Sequence, residues 1–237
     1  MTQIEAVKGG SDGDPHRERL AAGNVEVRFA NLERDAAEMA RLFDQPSVIE
    51  HLAAVAPSIT TRPDRDIERY ARRHPEFKIV RATAEAIREY YESNPSSTAL
   101  VAIIDDRVVG TATIEKAGFG TTWAGLSRLV VEDEYRRRGV ATALIRSGEA
   151  FAFASVEDGG LKADAIQAGV IKDVEGSSGA LAAFSKVGYR VFGERPGNTR
   201  SWDNERQEFV RRDTFNIYKE LDQRRSALKE YFPKEAY

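Results

Sequence analysis

The sequence has no cysteine, only three histidines and no excess of either charge. Without cysteine there is no disulfide framework, no thiolate nucleophile and no cysteine metal site, so a reducing, cytoplasmic setting is expected. Three histidines in 237 residues give little material for a metal centre, and none is expected. Lysine and arginine number 35 against 38 aspartates and glutamates, a formal net charge of -3. That balance argues against nucleic-acid binding through a broadly basic surface. No run of about 18 apolar residues occurs, so no membrane-spanning helix is expected. No basic start is followed by an apolar core, so no signal peptide is expected either. What remains is a chain with 31% charged residues, long enough to bury a substantial core.

Residues 1–24 are polar and carry Gly9-Gly10-Ser11-Asp12-Gly13-Asp14-Pro15, which reads as a mobile N-terminal tail. "VEVRFA" (Val25 to Ala30) alternates apolar and polar residues and reads as a first strand. A helix follows, with Leu32, Ala36, Met39 and Phe43 at helical spacing and Asn31 as its cap. A short helix is expected over Val48 to Ala56, and residues 60–80 read as a charged insertion broken by Pro63 and Pro75. "TAEAIREYYESN" is a helix that stops before Pro95. "STALVAII" and "RVVGTATIEKA" form a hairpin around Asp105-Asp106, and "WAGLSRLVV" is a further strand. A strand over Leu161 to Val170, a helix "SSGALAAFSKVG", a strand "YRVFGE" and a last strand "QEFVRRDTFNIYKEL" complete the order. Residues 222–237 read as a C-terminal helical extension. The expected fold class is α/β (α+β): a single domain over 25–221 with a mixed, mostly antiparallel central sheet flanked by helices.

The most informative stretch is "VVEDEYRRRGVATALI", Val130 to Ile145. An apolar strand ends, a charged turn follows, and a glycine opens an apolar helix. The first amides of a helix lack internal partners, and the helix dipole adds positive potential there. A phosphate fits such an end when the backbone can approach it closely. Gly139 removes a side chain at the mouth, and Ala141, Thr142 and Ala143 keep the entry narrow. Val140, Leu144, Gly148 and Phe151 make the buried stripe of that helix, with Gly148 marking close packing on the sheet.

Arg136-x-x-Gly139-x-Ala141 resembles the pyrophosphate loop of the GNAT N-acetyltransferases. The downstream "ALAAFSKVGYRVFG" resembles the helix and strand that follow in that family, with Ala180, Ala183, Phe184, Lys186, Gly188 and Tyr189 at the matching positions. The resemblance runs from about Ala99 to Phe192 and more loosely from Val25 to Leu221. It implies an acetyl-CoA-dependent N-acetyltransferase acting on a primary amine of a small molecule, peptide or protein. Arg136, Arg137, Arg138, Gly139, Val140, Ala141 and Thr142 would then hold the pyrophosphate. Leu129, Val130 and Val131 would carry a bulge and bond the pantetheine arm. The thioester would lie where the strands Trp123–Val131 and Leu161–Val170 splay apart. The implied partners are acetyl-CoA and the amine, with no nucleic acid or membrane; a homodimer is left open.

Two positions depart from the family pattern. Gly125-Leu126-Ser127-Arg128 offers no carboxylate where some members place a glutamate base, and Phe184 stands where a tyrosine often serves as general acid. Glu115, at the end of "TATIE", becomes the candidate base, with a solvated strand-end charge as its alternative. Ser127 is a candidate to hold a water. Tyr90, Tyr91 and Trp123 are either acceptor-pocket walls or core aromatics. The two departures also keep a second function open, an acyl-CoA-binding sensor or scaffold without efficient chemistry.

Overall fold

The computed structural model describes residues 18–19, 25–49, 82–116, 122–172, 177–203, 205–206 and 208–220. Most of the N-terminal tail, the 60–80 insertion and the C-terminal extension lie outside these residues. The strands are β1 (Glu18–Arg19), β2 (Glu26–Phe29), β3 (Ser97–Ile104), β4 (Arg107–Lys116), β5 (Trp123–Val131), β6 (Ala165–Ile171), β7 (Arg190–Asp203) and β8 (Glu208–Glu220). The helices are α1 (Leu32–Phe43), α2 (Pro46–Ile49), α3 (Ala84–Ser93), α4 (Val140–Phe153) and α5 (Ser177–Lys186). The strands form one sheet in the order β1-β2-β3-β4-β5-β6-β8-β7. Every neighbouring pair is antiparallel except β5 and β6. This is the mixed, mostly antiparallel sheet that the patterning predicts.

Local chemistry accounts for the elements. Asn31 caps α1 by accepting from the amides of Glu33 (3.1 Å) and Arg34 (3.3 Å). Thr83 caps α3 by accepting from Ala86 N at 3.1 Å. Asp105 and Asp106 both take positive φ, 49° and 61°, as a two-residue turn that matches the strand twist requires. The strands then sort their side chains by alternation. Ala99 and Val101 join Met39, Leu42, Ile87 and Val130 under α1 and α3. Leu100, Ala102, Ala112, Ile114 and Leu126 join Leu144, Ile145 and Phe184 under α4 and α5. The sheet therefore has two cores, one on each face. Met39, Leu42 and Ile87 are fully buried, each contributing about 1.5–3 kcal/mol.

Two expected boundaries move. The strand expected from Leu161 begins at Ala165, because the preceding amides bond elsewhere. Leu161 N donates to Phe151 O, Lys162 N to Ala154 O, Ala163 N to Ala152 O and Asp164 N to Thr122 O, at 2.6–3.2 Å. The strand expected over "YRVFGE" runs on to Asp203, past Pro196. Proline removes a ladder donor and is tolerated on an edge or at an irregularity; β7 is the sheet edge, and its register shifts between Arg195 and Thr199.

Candidate active site at the parted strands

β5 and β6 pair only from Trp123–Ala165 to Leu126–Ala168. Beyond that point β5 runs on to Val131 and β6 to Ile171 without pairing, which opens a gap in the sheet. β5 also carries a bulge there. Thr111 and Thr113 on β4 face Val130 and Ser127, so β5 holds one extra residue between them. Arg128 sits in the bulge with φ +48°, the left-handed region. The irregularity expected at Leu129–Val131 thus begins slightly earlier.

At the far end of β5, Glu132 fixes the exit of the chain. Its carboxylate accepts from Arg41 (2.6 and 3.2 Å) and from Arg107 (2.6 Å), and its amide donates to Val109 O. The turn Asp133–Tyr135 follows. The Arg136 guanidinium bonds Asp133 (2.6 Å) and Ser47 (2.8 Å), so it braces the turn. Arg138 lies over the Tyr135 ring at 5.2 Å, and Arg137 takes φ +62°. All three arginines and Gly139 are exposed, whereas Val140 and Leu144 are buried.

Gly139 caps α4 at φ +90° without a side-chain hydrogen bond. The first bond into the helix runs from Ala143 N to Gly139 O at 2.9 Å. The amides of Gly139, Val140, Ala141 and Thr142 have no hydrogen-bond partner among the described residues. A Cβ built on Gly139 meets nothing within 4 Å, so the backbone there is open to close approach. Four unpaired donors, open space and arginines at the rim fit a pyrophosphate. Close packing at Gly148 holds the helix in place: an added Cβ would sit 2.6 Å from Ile114 Cδ1 and 3.4 Å from Leu126 Cδ1. The expected stripe is therefore seated on the sheet.

The other candidate residues meet on the α3 side of the gap. Thr111, Thr113 and Glu115 share one face of β4, opposite Ile114, and α3 covers that face. Glu115 pairs across the ladder with Gly125, and Thr113 with Ser127. The Glu115 Oε1 accepts from Ser127 Oγ (2.9 Å), Arg128 Nη1 (2.7 Å) and, at the limit, Tyr90 Oη (3.4 Å). Its Oε2 accepts no hydrogen bond from the described residues. The Arg128 guanidinium lies 4.2 Å above the centre of the Tyr90 ring. Tyr91 shares a 2.7 Å hydrogen bond with Thr113 Oγ1. Burial pushes the Tyr90 phenol up, with Arg128 opposing and Glu115 reinforcing the shift. Burial pushes Tyr91 up to about 12, offset in part by its bond to Thr113. Both phenols therefore stay protonated at neutral pH.

Trp123 lies further along this face. It stacks on Tyr218 at 6.2 Å, and Phe192 meets Tyr218 edge-on at 5.3 Å. Register places Gly125, Gln167 and Tyr218 in one row with Glu115. Glu115 and Tyr90 thus lie at one end of this face of the sheet and the Trp123 group further along it. Phe184 and Tyr189 lie elsewhere, in the α4–α5 core, with ring centres 4.9 Å apart. Burial and the nearby Glu149 charge push the Tyr189 phenol up, and it does not line the gap.

Residues 65–170 match the family model described as Acetyltransferase (GNAT) family. The chain carries a GNAT domain. The solved structures that share its fold include RimJ from Mycobacterium smegmatis in complex with CoA-disulfide. That protein is 18% identical, with a TM-score of 0.61 over 88% of this chain and 87% of its own. YncA from Salmonella typhimurium, described with its cofactor acetyl-CoA, is 15% identical, with a TM-score of 0.58 over 84% of this chain and 95% of its own. Spermidine N-acetyltransferase from Vibrio cholerae, in complex with CoA and spermine, is 11% identical, with a TM-score of 0.59 over 84% and 96%. No curated protein matches the chain in sequence. In this GNAT domain the sequence picks out Glu115, Ser127, Tyr90 and the helix start. It gives no sign of Arg128, because nothing in the sequence says that an arginine would occupy the left-handed position of a bulge.

Proposed function

We propose that the chain is an N-acetyltransferase that moves an acetyl group from acetyl-CoA to a primary amine. The observation that carries this reading is the Glu115–Ser127–Arg128–Tyr90 cluster, set where β5 and β6 part and on the face away from α4. The amides of Gly139 to Thr142 would hold the pyrophosphate, with Arg137 and Arg138 at the rim. Arg136 supports them by bracing the turn. The edge of Leu129, Val130 and Val131, unpaired on the β6 side, would take the pantetheine arm. The thioester would then sit at the gap, and the amine would approach from the Glu115 side.

Amide formation needs the free amine and a place for its proton. The carbon–nitrogen bond forms as the carbon–sulfur bond breaks, and coenzyme A leaves as its thiolate. The amine proton passes to Glu115 Oε2, directly or through a water held by Ser127. Three donors on Oε1 fix the carboxylate and leave Oε2 facing the reaction. Phe184 leaves no phenol at the helix position where a tyrosine would protonate the leaving group, and a thiolate leaves without that help. A cytoplasmic setting fits a cysteine-free chain that draws on acetyl-CoA.

The test is thiol release from acetyl-CoA across a panel of amines, beside a thermal-shift titration with acetyl-CoA. Amine-dependent release is expected, with stabilisation by mass action. Stabilisation without release on any amine would instead support an acyl-CoA-binding module.

A further inference from the structure

Arg128 has so far only helped to fix the Glu115 carboxylate, yet the backbone is strained to place it. A non-glycine residue at φ +48° is strained, and a bulge re-aims the side chain that it carries. Here the side chain is aimed over Tyr90 and onto Glu115 at 2.7 Å. Beside its contact with Tyr90, the guanidinium bonds through Nη1 to Glu115 and, at 3.3 Å, to Ser127. Its Nε and Nη2 donate to no described residue, and a fifth of the side chain is open to solvent (22%). A cation and an anion thus stand side by side at the point where the acetyl group would arrive. Each keeps free hydrogen-bonding capacity.

We infer that this pair recognises a free α-amino acid, with the substrate carboxylate on Arg128 and its amino group on Glu115 Oε2. The inference rests on the acetyltransferase reading and names its acceptor class. A zwitterion carries the complementary pair of charges on one carbon, and here the two opposite charges are held side by side by the 2.7 Å Nη1–Oε1 contact. The free guanidinium edge presents two parallel N–H groups, the geometry that a carboxylate takes in a bidentate bond. The Tyr90 ring, 4.2 Å from the guanidinium carbon, and Glu115 hold the side chain in place beforehand, so little freedom is lost on binding. The alternatives fit less well. A polyamine brings further cationic groups and no anion for the outer edge of Arg128. A protein N-terminus has its first carboxyl group tied up in a peptide bond and offers Arg128 no anion. The ammonium must still lose one proton to solvent before the free amine can react, and Glu115 takes the second.

The experiment compares matched acceptors on the full chain: leucine, methionine, phenylalanine and glutamate, each beside its α-carboxamide. Spermidine and a short peptide with a free N-terminus complete the panel. The free acids should exceed their amides in kcat/KM by about tenfold to a hundredfold, mostly through KM, as a charge-assisted hydrogen bond predicts. In Arg128→Gln that ratio should fall close to one, again through KM. Arg128→Lys, which keeps the charge but loses the fork, should give an intermediate ratio. If the arginine variants fold poorly, the wild-type ratio alone still decides. Amides, the peptide or spermidine turned over as well as the acids would overturn this inference and leave the acetyltransferase reading standing. Turnover of no amine at all would overturn both.

Discussion

Gly139→Asp separates the phosphate site from the fold that carries it. In the folded protein a Cβ at position 139 meets no atom within 4 Å, so the added carbon itself causes no clash. Its cost to stability comes from the backbone, because φ +90° is a glycine conformation. That strain is about 1–2 kcal/mol, a loss of about 2–8 °C in Tm for a domain of this size. The effect on coenzyme A should be larger. A carboxylate about 5 Å from a bound phosphate charge is repelled by roughly 3 kcal/mol at an effective dielectric constant of about 20. Salt screening at this exposed turn reduces that to about 2 kcal/mol, or about thirtyfold in Kd. Gly139→Ala carries the same backbone strain without the charge and should lose much less affinity. Calorimetric titration with coenzyme A, beside thermal melts of both variants, separates the two terms. An Asp variant that binds coenzyme A as tightly as the wild type would refute the assignment of the α4 start as the pyrophosphate site.

Three further outcomes follow from the packing and charge. Gly148→Ala should gain about 1 kcal/mol in helix propensity but lose about 1–3 kcal/mol by crowding Ile114 Cδ1 at 2.6 Å. Denaturant unfolding should show net destabilisation, relieved when Ile114→Val removes that methyl group. Asp35 is buried and bonded by Arg28 (2.6 and 2.8 Å) and by Asn31 N (2.7 Å), so Asp35→Ala should cost about 3–5 kcal/mol by leaving Arg28 buried and unpaired. Burial pushes the Asp35 carboxyl up, but Arg28, the Asn31 amide and Arg34 outweigh it and hold the carboxyl below its ordinary value. The stabilisation from ionised Asp35 is therefore complete above the unfolded value of about 4 and fades as pH falls through the lower folded value. The stability gap between wild type and Asp35→Asn should narrow over that acid range; a gap independent of pH would contradict the assignment.

Much of this geometry is legible in the sequence where one local cause dominates. The Asp105-Asp106 hairpin, the Asn31 cap and the glycine-opened helix at Val140 each follow from a neighbouring residue's own chemistry. Alternation also puts Glu115 on the face of Thr111 and Thr113, although which face borders the gap depends on how α3 packs. The remainder depends on partners distant in the chain. Arg136 reads as a phosphate ligand, yet it turns onto Ser47 and Asp133. β6 begins four residues later than its apolar pattern because the preceding amides are drawn to α4 and Thr122. β7 outruns its pattern because an edge strand tolerates Pro196. The Arg128 bulge arises from a register offset between two strands, which neither strand encodes alone.

The role proposed for Glu115 as the base is decided by single-turnover acetyl transfer in Glu115→Gln. Glutamine keeps the shape and the hydrogen bonds to Ser127 and Tyr90 but cannot take up the amine proton. With acetyl-CoA affinity measured in parallel by calorimetry, the affinity should be unchanged and the transfer rate lower by about a hundredfold to ten-thousandfold. A Glu115→Gln protein that transfers acetyl at the wild-type rate would contradict that role.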